Sequence, residues 1–154
     1  IDTREKVGVW DFPPEVCANP TIRKLDTGDY SLEGFETLLC IERKKGVSEL
    51  AQNLVDARFK RELARMESYK YSFLILEFDI EDILKYPVGS SVPRIKWHKL
   101  KVNSKLIMSL IAYVQVHYNV KIIFAGSRSN AILIATNIMK KVYERHTPRE
   151  ILEC

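Results

Sequence analysis

Residues 72–78 read Ser-Phe-Leu-Ile-Leu-Glu-Phe, a short and almost unbroken apolar run. A strand with one wet face alternates apolar and polar residues. A run that does not alternate needs cover on both faces, which describes a central strand between layers of helix. The rest of the chain supplies that cover. Leu50, Leu54, Ala57, Leu63 and Met66 recur at helical spacing and predict one helix over 47–69, with Ser48 as its cap. A second helix is expected over 103–118, capped at Asn103 or Ser104. A third is expected over 129–144, with Ala131, Ile134, Ala135, Ile138 and Val142 on one stripe. Residues 121–125 form another short apolar run and a second buried strand. Ahead of these, 30–32 and 37–44 read as a hairpin across Glu33-Gly34-Phe35-Glu36. Residues 1–5 resemble the end of a strand, and 21–25 alternate weakly. Pro87, Gly89 and Pro93 make 87–101 a long loop. This order predicts an α/β sandwich whose mixed β-sheet is flanked by helices. A chain of 154 residues fits a single domain, expected over 1–154.

Charge divides the chain in two. Residues 1–82 hold 12 Lys/Arg and 17 Asp/Glu, whereas residues 83–143 hold 10 Lys/Arg and no Asp or Glu. Carboxylates suit hard metal ions and cations suit phosphate backbones, although a solvated basic surface explains the second half equally well. No apolar run approaches the ~20 residues that span a bilayer. Cys17, Cys40 and Cys154 are far apart and odd in number, which suits neither a disulfide framework nor a metal knot and points to a reducing, intracellular setting.

The chemistry concentrates where residues 38–41, Leu-Leu-Cys-Ile, run into Glu42-Arg43-Lys44-Lys45. Side chains alternate along a strand, so Glu42 and Lys44 project to one face and Arg43 to the other. A carboxylate and an ammonium at the end of a core strand are costly to desolvate without partners or a purpose. The hairpin brings Asp29 near Glu42. Two carboxylates and a lysine so arranged can hold Mg²⁺ against a phosphate and assist a water nucleophile. A surface hairpin with an ordinary ion pair is the competing account.

Further residues carry a family resemblance. Gly28-Asp29-Tyr30, then Glu42-Arg43-Lys44, then an acidic residue and Leu opening a helix, resemble the signature of the XPF family of structure-specific endonucleases. Asp2-Thr3-Arg4-Glu5 resembles that family's first-strand element. Arg58-Phe59 with Glu62 resembles its following helix, and residues 73–79 resemble its next strand. The resemblance implies a restriction-endonuclease-like fold and a Mg²⁺- or Mn²⁺-dependent nuclease that cuts flapped, forked or otherwise branched DNA in repair or recombination. It also implies a homo- or heterodimer formed through the nuclease domain, placed in the nucleus if the source is eukaryotic and otherwise in the cytoplasm or nucleoid. By residue-wise carry-over, Asp29 and Glu42 are metal ligands, and Asp2 and Glu5 join them directly or through water. Lys44 serves the nucleophile. Arg43, facing away, is expected to brace the site against an acidic neighbour, and Arg4 to brace it or to meet a phosphate. The family's last Asp falls on Ser48 here, with Glu49 one residue later. No helix-hairpin-helix pair is visible.

Arg58 is expected to contact DNA, while Lys60, Arg61 and Arg65 read as surface pairs with Glu62 and Glu67. Arg94, Lys96, Lys99 and Lys101 alternate with apolar residues; a strand or extended loop would gather them on one face, against phosphate or simply in solvent. Trp97 either packs or stacks on an unpaired base. Residues 126–129 make either a phosphate-binding helix start or a plain capped turn. His98 and His117 have no partners at ligand spacing, and His146 is expected past a helix end. Two other functions compete: a catalytically inactive DNA-binding or dimerisation partner, and a sequence-specific restriction-type endonuclease.

Overall fold

Three short strands run parallel in the order β1 (Leu39–Lys44), β2 (Tyr71–Leu76) and β3 (Lys121–Phe124), with Glu42 opposite Leu74 and Leu74 opposite Ile122. The structure, a computed structural model, describes residues 1–147. The central strand β2 is the unbroken apolar run, and its position explains the lack of alternation, because both faces are packed. Its even-numbered residues Leu74 and Leu76, with Cys40 of β1, join one apolar cluster. Its odd-numbered Ile75, with Leu39 and Ile41 of β1, joins another.

The first cluster lies against α1 (Val47–Leu54), α2 (Ala57–Met66), α3 (Ile80–Lys85) and α4 (Ser104–His117), through Leu50, Phe59, Leu63, Ile83 and Ile107. The second lies against α5 (Arg128–His146), through Ala131, Ala135, Met139 and Val142, and against Trp10 and Tyr30 from the N-terminal segment. The result is a three-layer α/β sandwich. One antiparallel bridge, Tyr30 to Ile41, stands in place of the expected hairpin; a turn confined to 33–36 would set Tyr30 opposite Leu39, but the turn extends through residue 38 and shifts the pairing by two. The strands expected at 1–5 and 21–25 reduce to one bridge between Asp2 and Arg23.

Several boundaries depart from expectation. The single helix over 47–69 is two, because the Asp56 side chain accepts the Arg58 backbone N–H and starts a new helix after an exposed Val55. A capping aspartate competes with helix continuation at that point. Ser48 is buried inside α1, and Gly46 takes the cap position without a side-chain bond. Asn103 caps α4 and Ser127 caps α5, so residues 126–129 form a capped turn. The span before α4 contains α3, started by an Asp79–Asp82 capping box, and a 3₁₀ helix over Arg94–Lys99. That 3₁₀ helix corrects the expected extended segment. With three residues per turn, Lys96 and Lys99 share a side while Arg94, Lys96 and Lys99 do not form one row. Arg94, Lys96, Lys99 and Lys101 are all exposed. Trp97 packs in part, with its indole N–H on the Val92 carbonyl at 3.0 Å. His146 belongs to α5 and meets the Tyr71 hydroxyl at 3.0 Å. Among the described residues, no helix is long and apolar enough to cross a membrane.

Candidate active site

Strand alternation does at β1 what it must. Glu42 and Lys44 point together to the α1–α2 side, where Lys44 Nζ donates to Glu42 Oε1 at 2.7 Å, with both side chains buried. Arg43 points to the opposite face. Asp29 reaches the same end of β1 from the preceding turn. Its N–H donates to the Ile41 carbonyl at 2.8 Å, and its Oδ2 accepts the Arg43 N–H at 2.9 Å. Gly28 permits this approach. It sits at φ +84°, and a Cβ there would lie 2.7 Å from Cys40 Sγ and 3.0 Å from the Ile41 carbonyl oxygen. Glycine is therefore required before Asp29 both for its backbone angle and for the space.

Asp29, Glu42 and Lys44 line a cleft of about 230 Å³ with Arg4, Arg58, Phe59 and Glu62. Lys44 Nζ lies over the Phe59 ring, 5.5 Å from its centroid. Burial, followed by repulsion from neighbouring carboxylates, pushes Asp29 up to about 6. Burial and the Asp29 charge push Glu42 up to about 8. Burial works against the Lys44 charge, but the charge and hydrogen bond of Glu42 outweigh it and raise the lysine above its ordinary value. The cleft therefore holds two carboxyls whose charged forms are disfavoured chiefly by burial and secondly by each other and their acidic neighbours.

The two carboxylates suit a divalent cation. Each commits one oxygen to a protein donor, Asp29 Oδ2 to Arg43 N–H and Glu42 Oε1 to Lys44. The other oxygen of each makes no hydrogen bond among the described residues. Mg²⁺ is commonly held by one or two carboxylates and keeps several waters. Among the described residues, no three His, Cys, Asp or Glu side chains converge closely enough to form a metal group by themselves.

Arg43 is bound from behind. Its guanidinium donates to the Gly8 carbonyl, to the Tyr30 hydroxyl at 3.2 Å and to the Val7 carbonyl at 3.2 Å. It also lies 3.5 Å from Glu5 and 3.8 Å from Glu77. Trp10 stacks on Tyr30 at 4.4 Å and donates its indole N–H to Glu77 at 2.6 Å. This is the bracing expected of Arg43, and it explains why charged residues tolerate a strand interior: each buried charge has an opposite neighbour.

The remaining expected residues divide. Arg4 and Arg58 line the cleft. Asp2 does not. Its Oδ1 accepts from Arg4 and its Oδ2 from the Leu25 N–H at 2.7 Å, so it holds Arg4 beside the cleft. Burial alone would raise the Asp2 carboxyl, but these donors leave it below the usual carboxylate range. Glu5 lies behind β1, against Arg43 and Lys45. Glu49 accepts the Lys45 N–H at 2.8 Å and serves the start of α1. Arg94, Lys96, Lys99 and Lys101 are not among the cleft's lining. Glu62, read from the sequence as a partner for surface cations, instead faces the cleft; its i+3 relation to Phe59 was the available signal.

Fold and site together define a parallel α/β sandwich with two carboxylates and a lysine at one strand end. The ERCC4 domain model matches residues 1–138, and the chain belongs to that family. Its fold is the restriction-endonuclease-like fold of the XPF nuclease domain. XPF from Aeropyrum pernix aligns with a TM-score of 0.64 at 22% identity, covering 94% of this chain and 64% of that one. The same protein in complex with DNA aligns with a TM-score of 0.63 at 20% identity, covering 97% of this chain and 66% of that one. The chain thus spans about two thirds of the structures it resembles. No curated protein sequence matches it as a relative.

Proposed function

We propose that this chain is the catalytic domain of a divalent-metal-dependent DNA endonuclease that acts on branched or flapped DNA. The observation that carries the reading is the meeting of Asp29, Glu42 and Lys44 with Arg4 and Arg58 around one cleft. In this reading Asp29 and Glu42 hold Mg²⁺ or Mn²⁺. When bound, the cation supplies positive charge against the developing phosphorane and acidifies water. Lys44, fixed by Glu42 and kept protonated, orients the attacking water or touches a phosphate oxygen. Arg4 and Arg58 bind the flanking phosphates, Arg4 being aimed by Asp2. The exposed cations Arg94, Lys96, Lys99 and Lys101 extend phosphate contact beyond the cleft. The ERCC4 family match and the DNA complex of the Aeropyrum pernix protein support the DNA substrate.

A second reading is favoured by one observation. Asp2 and Glu5 are engaged by arginines and leave a centre of two carboxylates. In that reading the chain binds DNA or a partner subunit without cutting. One experiment separates the two. Labelled flap, fork, duplex and single-stranded DNAs are incubated with the protein in Mg²⁺, Mn²⁺ or EDTA, beside Glu42→Ala and Lys44→Ala variants. Metal-dependent cutting of branched DNA that both variants lose supports the nuclease. Binding without cutting in either metal overturns it in favour of the silent partner.

A further inference from the structure

We propose that Glu62, which the sequence signature does not assign as a ligand, is a positioning carboxylate of the metal centre and acts on the cation through its hydration shell. The inference rests on the metal-dependent reading above. On α2, Phe59 and Met66 are buried toward the sheet, and Glu62 follows Phe59 by three residues, one helical turn on. Phe59 is the ring beneath Lys44, so Glu62 stands along the same wall of the cleft. Four carboxylates line that cleft. Asp29, Glu42 and Asp56 each accept a hydrogen bond from a protein donor. Glu62 makes no hydrogen bond or ion pair among the described residues, although Arg58 precedes it at the spacing favoured for a helical pair. Its charge is felt by Asp29, Glu42 and Lys44 together, which agrees with this placement.

Among the described residues, no three His, Cys, Asp or Glu side chains are grouped to hold an ion by themselves, and the role left to Glu62 is one beyond direct ligation. A cation held by two carboxylates keeps several waters, whose O–H groups need acceptors. Arg4, Lys44 and Arg58 are donors only. Glu62 presents two uncommitted acceptor oxygens on the facing wall. Groups in this position orient the ligands and typically change metal affinity by 10–100-fold.

The test needs no DNA. Mn²⁺ binding is measured by electron paramagnetic resonance on the whole chain, for the native protein, Glu62→Gln and Asp56→Asn, with a thermal melt of each in EDTA to establish folding. Asp56→Asn removes the same charge from the same cleft and retains a good helix cap. The expected result is a roughly tenfold weaker Mn²⁺ affinity in Glu62→Gln and a change of about twofold or less in Asp56→Asn. Unchanged affinity in Glu62→Gln overturns the inference. Equal weakening in both variants also overturns it, since removal of any nearby charge would then suffice. If the native protein takes up no Mn²⁺, the metal-dependent reading itself fails. Mn²⁺ binding that ignores Glu62→Gln removes only the role of Glu62.

Discussion

Replacing Asp29 by Asn should stabilise this protein at alkaline pH, the reverse of what loss of a charged hydrogen-bonding group in most sites would do. Asn can keep the acceptor that Asp29 presents to the Arg43 N–H while removing the charge that burial and neighbouring carboxylates oppose. The native pKa of about 6 exceeds the ordinary 3.8, so the folded chain holds the proton more tightly than the unfolded chain. Stability contributed this way is present below the ordinary value and is lost as pH rises through about 6. At about 1.4 kcal/mol per pH unit, the full loss is about 3 kcal/mol above pH 6. Asp29 is half-buried, so solvent screening makes that figure a ceiling. For a domain of this length it corresponds to at most roughly 6–12 °C in Tm. Removing the Asp29 charge also relieves Glu42, which acts in the same direction. Thermal melts of both proteins in EDTA from pH 4 to pH 8 should therefore coincide at the acid end and separate as pH rises, with the variant higher. Added Mg²⁺ should raise the native protein selectively and close the gap. A variant that is less stable at pH 8, or a gap that does not change with pH, would refute the electrostatic argument.

Two further outcomes follow from the same geometry. Gly28→Ala meets both a left-handed backbone angle and the Cys40 sulfur, and should cost about 2–4 kcal/mol in urea unfolding; a loss below about 1 kcal/mol would show that the turn can move away from β1. Arg43→Met leaves Glu5 and Glu77 without their shared cation and should cost about 3–5 kcal/mol by the same measurement, whereas a near-neutral effect would remove Arg43 from the bracing of the strand.

How far the fold and site are legible in the sequence depends on the range of the interactions involved. The unbroken run at β2 and the alternation of Glu42, Arg43 and Lys44 are local patterns, and the structure carries both through. The antiparallel approach of Tyr30 to β1 is legible from turn chemistry, but its register is not, because the turn runs on through residue 38 and sets Tyr30 against Ile41. The break at Asp56 was masked because apolar periodicity continues across it, and only the cap bond distinguishes two helices from one. The partners of Asp2 and Glu5 are harder still. Both sit in an acidic motif, yet Leu25 and Arg43, far along the chain, decide which side of the strand each serves. The same limit applies to Glu62: its neighbours in sequence suggest surface pairing with cations, while in space it shares a cleft with Asp29, Glu42 and Lys44 from distant parts of the chain.

The alternation along β1 also separates two kinds of inheritance. Its odd-numbered residues, Leu39, Ile41 and Arg43, hold the sheet to Trp10, Tyr30 and α5, whereas the even-numbered Glu42 and Lys44 face the cleft. On the nuclease reading proposed above, exchange of Glu42 and Lys44 would remove the chemistry and leave the scaffold behind them intact. Relieved of a repelling carboxylate pair, such a variant would also be the sturdier protein, so loss of activity would be a downhill step in stability and its recovery an uphill one.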